Sequence, residues 1–176
     1  VIEQAHEAVS ARLRRPSRLD DDAIFRPVCE YPEFAWREAI LNAVAHRDYS
    51  VLGFGVEVWL FDDRMEVSSP GGLLPAVSIP RLLTGERTHV SRNPRIVRCL
   101  VDLGLMRDAG EGILRMHAKM EEQRLPAPEF DSTTHRMVVK LRNRGESASD
   151  RRELEPDRRE LQSDRRELEP DRGELQ

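Results

Sequence analysis

Glu38, Asn42 and His46 recur every four residues through a segment otherwise rich in Ala, Ile, Leu and Val. Each step of four advances about 40° around an α-helix, so the three side chains form one slanting stripe on a single face. Ala39, Ile40, Ala43 and Val44 occupy the remaining faces and suit burial. The carboxylate of Glu38 can orient a water or act as a base. The amide oxygen of Asn42 can hold a hard cation such as Mg²⁺, which favours oxygen ligands. A plain helix with a solvated edge has the same pattern.

The elements that must position this stripe can be read outward from it. Pro32 lacks a backbone donor and biases Tyr31 away from helical geometry, so the key helix starts just after it. Asp48, Tyr49 and Ser50 end it in a polar turn. Upstream, Ile2, Ala5, Val9 and Leu13 share one side of a helix from Ile2 to Leu13. A basic patch (Arg12, Arg14, Arg15, Arg18), an acidic turn from Asp20 to Asp22 and a short strand around Ala23 to Cys29 follow. Downstream, Phe54 to Val67 reads as a β-hairpin turned by Asp62 and Asp63. One arm has Val56, Val58 and Leu60 alternating with Glu57, Trp59 and Phe61. It lacks a polar face, which predicts cover on both sides of the sheet.

Ser69-Pro70-Gly71-Gly72 breaks the second arm; paired glycines permit close approach to a ligand but also make ordinary tight turns. Leu73 to Ser91 is a long connection with a short helix near Ile79 to Leu83, and such connections often serve as lids. Ser91 or Asn93 can cap a helix with Pro94 at its first position, running to about Leu103 and stopped by Gly104. Its predicted buried face is Ile96, Val97, Leu100 and Leu103, with Arg92, Arg95 and Arg98 three apart on a solvated or phosphate-contacting face. Gly110 to Arg124 is another helix, with Ile113, Met116, Met120 and Leu125 at core spacing. His135 to Leu141 is a last strand. His6, His89, His117 and His135 have no partners at ligand spacing and read as surface or packing residues.

Glu38, Asn42 and His46 resemble the N-box helix of the histidine-kinase-like ATPase superfamily. The stretch from Arg37-Glu38-Ala39 to His46-Arg47-Asp48-Tyr49-Ser50 is similar to a branch labelled transcriptional regulator, or "ATP-dependent DNA helicase RecG-related", C-terminal domain. Asp63 to Val67 running into Ser69 to Leu73, then Arg92-Asn93-Pro94, then Gly110 to Ile113 extend the resemblance in order across residues 1–142. The resemblance implies a two-layer α/β sandwich that holds ATP with Mg²⁺ between helices and sheet. By position, Asn42 would ligate Mg²⁺, Glu38 would be the catalytic or water-orienting carboxylate, and His46 would line the site near phosphates or ribose. Gly71 and Gly72 would lie where adenine is read, and Gly110 and Gly112 would face the phosphates from a helix N-terminus. Residues 73–92 would be the lid. Ser68-Ser69-Pro70 stands where the superfamily has an adenine-reading Asp, which puts adenine selectivity and nucleotide binding itself in question. The resemblance also implies transcriptional regulation through a Schlafen-type AlbA domain, so DNA would be reached through a missing or separate domain. A degenerate scaffold or homodimerisation domain, or an accessory domain in DNA processing, are the alternatives.

Composition bounds these readings. At 176 residues and 39% hydrophobic content, the chain can bury one ordinary core. The formal charge of −4 divides unevenly: the last 27 residues hold 7 Arg against 10 acidic groups, and the other 149 hold 21 basic and 22 acidic. The expected folded domain, 1–145, is nearly neutral, and bulk charge makes no case for nucleic acid. Leu154, Leu161, Leu168 and Leu175 mark a heptapeptide repeat, interrupted by Pro156 and Pro170. One apolar residue per seven is too few for a coiled coil, so 146–176 reads as a disordered tail. Cys29 and Cys99 show no metal spacing and read as free cytosolic thiols. No run nears the ~18 apolar residues of a membrane span, so a cytoplasmic protein is expected. No GxxxxGK[ST] loop occurs, so the helicase label describes no motor in this chain. Val1 opens inside a helical pattern, which suggests a fragment.

Overall fold

A computed structural model describes residues 2–19, 24–84, 90–107 and 110–144. The heptapeptide repeat, the acidic turn and His89 lie outside the described residues. The element order is α1 (Ile2–Ser10), β1 (Ser17–Leu19), β2 (Phe25–Pro27), α2 (Glu33–His46), β3 (Glu57–Leu60), β4 (Arg64–Pro70), α3 (Ile79–Leu83), α4 (Pro94–Asp102), α5 (Gly112–Glu122), β5 (Glu129–Ser132) and β6 (Arg136–Arg142). This is an α/β sandwich of helices on an antiparallel sheet, as the resemblance implies.

Four strands pair antiparallel in the order β3-β4-β6-β5, while β1 and β2 form a separate two-stranded ladder. Register aligns Val58 with Val67, Val67 with Val139, and Val139 with Phe130. Because side chains alternate along a strand, this row and the Met65–Leu141 pair face one side together. Ala35, Trp36, Ala39 and Ile40 of α2, with Met116 and Met120 of α5, close over it. A smaller cluster joins Leu41 and Ala45 of α2 to Leu100 of α4.

The opposite face corrects an expectation. It carries Arg64, Glu66, Lys140, Arg142 and Glu129, tied by Arg64–Glu66 (2.7 Å) and Arg142–Glu129 (2.6 Å) ion pairs. Trp59 on the edge strand β3 is 52% exposed, and Phe61 lies under the Arg64 guanidinium rather than under another layer. The apolar alternation of β3 reflects an edge strand with an aromatic outer row, not cover on both sides. Leu103, expected in the core, is 66% exposed because α4 ends at Asp102 and the chain turns at Gly104. Helix α1 ends at Ser10, yet Leu13 still reaches the core.

Candidate functional site

Between α2 and the sheet lies a cleft of about 500 Å³, bounded on its far side by α3, α4 and the start of α5. Glu38, Asn42 and His46 all line it, together with Gly71, Gly72, Gly110 and Gly112. The seven residues expected from three separated stretches therefore share one cavity. Its volume falls in the range of small-molecule and cofactor sites.

At one end, the Asn42 Nδ2 donates to Glu38 Oε1 at 2.9 Å, leaving the amide oxygen available as an acceptor. Burial pushes the Glu38 carboxyl pKa up, with the Asn42 hydrogen bond and then Arg115 opposing it. The backbone of α5 comes so close that a Cβ on Gly112 would run into the Glu38 carboxylate. Glycine at the first position of α5 therefore lets this carboxylate sit against the helix N-terminus.

At the other end, His46 reaches into the cleft, with Ser91 Oγ 3.5 Å from its Nδ1. Its ring is open to the cavity yet crowded by the walls, and this desolvation followed by the Arg92 charge lowers its pKa. Beside it the chain leaves β4 through Gly71, whose φ of +93° is left-handed and favours glycine. A Cβ there would lie 2.6 Å from the Asp48 Cβ, and one on Gly72 would collide with the Thr133 carbonyl. The turn is thus pressed between the loop after α2 and the β5–β6 connection.

Arg92 was expected on a helix face with Arg95 and Arg98. It precedes Pro94, the first residue of α4, and so escapes the helical spacing. Its guanidinium enters the cleft instead, donating to Asp48 Oδ2 (3.1 Å) and the Gly72 carbonyl (3.0 Å). Arg98 remains a surface residue paired with Asp102. Asn93 occupies the cap position of α4 without capping it. Its Nδ2 donates to the carbonyls of Ala45 (3.1 Å) and Arg47 (2.7 Å), satisfying the C-terminal end of α2. Ser69 lines the cleft while Ser68 points away to accept from Arg136 Nε.

Among the described residues, His6, His117 and His135 do not line the cleft. His6 is buried edge-on to Trp36, with Nδ1 accepting from Arg37, and His117 stacks on Phe130. Cys29 and Cys99 are free. Among the described residues, no three His, Cys, Asp or Glu side chains are placed to hold a metal, and no helix is long and apolar enough to cross a membrane.

Helices on one face of an antiparallel sheet, with a polar-ended cleft between the layers, form a two-layer α/β sandwich. Residues 53–141 match the family model described as "Putative ATP-dependent DNA helicase recG C-terminal", and the chain belongs to that family. The match begins after α2, so the Glu38, Asn42 and His46 stripe lies upstream of it. The crystal structure of the DIP2311 protein from Corynebacterium diphtheriae is similar over 81% of this chain, with 26% identity and a TM-score of 0.73. This chain covers 28% of that protein. No curated protein matches it.

Proposed function

We propose that the domain binds ATP with Mg²⁺ in this cleft and that occupancy regulates an attached DNA-binding module, as a transcriptional regulator would require. The convergence of Glu38, Asn42 and His46 with the two glycine pairs in one 500 Å³ cavity carries the reading. The Asn42 oxygen is the hard donor that Mg²⁺ takes, phosphate oxygens and water completing its shell. Gly110, Gly112 and the N-terminus of α5 suit the phosphates, and Glu38 is placed to orient a water there. Gly71 and Gly72 would form the floor at the base end, and Leu73, Leu74, Val77 and Leu82 of the following connection line the cleft beside them. Bound Mg²⁺ supplies charge compensation to the phosphates, and turnover is slow or absent.

Calorimetric titration of the full chain with ATP, with and without Mg²⁺, tests this. Asn42→Ala is expected to weaken Mg²⁺-dependent binding by about 1 kcal/mol or more, with little change in stability. Equal affinity in mutant and parent would remove the role of Asn42.

A second reading, a scaffold or homodimerisation domain, is favoured by the exposed apolar residues Leu52, Phe54 and Trp59 on and before the edge strand. A concentration-dependent mass in light scattering, unaffected by nucleotide, would favour it.

A further inference from the structure

We propose that Arg92 reads the base, so that the cleft takes a 6-oxo purine nucleotide, of guanine or hypoxanthine, at least as readily as an adenine nucleotide. This inference rests on the nucleotide reading above and specifies its ligand.

The two ends of the cleft differ in chemistry. Gly112 opens an 11-residue helix, and Gly110 and Arg107 line the cleft beside it. That end favours anions. Glu38 and Asn42 lie there, where a cation between them and the phosphates would compensate the carboxylate. His46 is eight residues further along α2, about 12 Å at the helical rise. That span accommodates the sugar and places the base among Ser69, Gly71, Gly72, Ser91 and Arg92.

Recognition of adenine requires an acceptor for its 6-amino group. Among the described residues lining the cleft, Glu38 is the sole carboxylate, and it lies at the opposite end. The base end offers two hydroxyls and an imidazole, which can either donate or accept, and one guanidinium, which only donates. Arg92 spends one N–H on Asp48 and one on the Gly72 carbonyl, so three of its five donors remain. Its orientation is fixed from behind. Asp48 accepts from the Ser50 hydroxyl (2.6 Å) and N–H (3.0 Å), and its own N–H donates to the Pro70 carbonyl at 2.8 Å. Gly71 leaves room for the Asp48 that holds Arg92, since a Cβ there would lie 2.6 Å from the Asp48 Cβ. A planar donor held in this way matches the adjacent O6 and N7 acceptors of a 6-oxo purine, which adenine replaces with an amino group and one acceptor.

The test titrates the full chain with ATP, GTP and ITP in the presence of Mg²⁺. GTP and ITP are expected to bind at least as tightly as ATP. Arg92→Met should weaken GTP and ITP about tenfold or more while changing ATP less than about threefold, and Arg92→Lys should fall between. An ATP preference above about tenfold in the parent, or an equal loss for all three nucleotides in Arg92→Met, overturns the inference and leaves the nucleotide reading standing. Absence of binding by all three overturns both. The parent's ranking of the three nucleotides decides the question even if the variant fails to fold.

Discussion

Glu38 is held at a cost. Its carboxylate is partly desolvated beneath α5, so its pKa is raised above the ordinary value near 4.5. A carboxyl whose folded pKa exceeds its unfolded one lowers stability at neutral pH, and the penalty fades as pH falls through the raised value. Glu38→Gln keeps an acceptor for the Asn42 amide and removes the charge. The variant is therefore expected to melt higher than the parent at neutral pH, with the difference shrinking toward about pH 4. Thermal melts across that range check this, and a difference independent of pH would show that charge burial is not its cause. Such a penalty persists where a site uses the charge, which fits the placement of Glu38 beside Asn42 in the cleft.

Each element had its own degree of legibility. The period-four stripe, Pro32 and the Asp48 turn delimit α2 closely, because helical periodicity and a missing donor act locally. The short helix α3 and the hairpin turn were legible for the same reason. Neither β5 nor the β1–β2 pairing was, since β5 carries a single apolar residue, Phe130, and the three-residue β1 and β2 show no alternation to set their register. The cleft residue Arg92 was hidden because its partners, Asp48 and Gly72, are distant in sequence, although Pro94 marks it as lying before the helix. Asn93 shows the same limit. A cap at the start of α4 was expected, whereas its amide closes the end of α2 with two hydrogen bonds. Asn93→Ala would leave the Ala45 and Arg47 carbonyls without that donor, a loss of about 1–3 kcal/mol. Denaturant titration is the check. A loss below about 0.5 kcal/mol would mean that water replaces the amide without penalty.

At the scale of the whole chain, the expected tail and the charge balance bear on partners. With one leucine per seven residues and two prolines, Asp150 to Gln176 has little apolar surface to contribute. Its deletion is expected to leave the melting temperature within about a degree. A large drop would show that the repeat packs on the domain. For DNA, non-specific affinity comes mainly from cations that displace counterions from phosphates. The basic clusters legible in the sequence are largely engaged within the fold. Arg14 pairs with Glu30, Arg12 donates to the Ala8 carbonyl, Arg92 is held by Asp48, and Arg98 pairs with Asp102. Each such pair must be broken or shared before its arginine can serve a phosphate. The first 149 residues, with 21 basic and 22 acidic groups, offer no net field to compensate. This chain alone is therefore expected to bind duplex DNA with a Kd above roughly 10 μM at physiological salt. Fluorescence anisotropy against a labelled duplex measures it. Sub-micromolar, sequence-selective binding would show that the domain itself contacts DNA, with Arg95 and Arg98, exposed on α4, as the first side chains to replace.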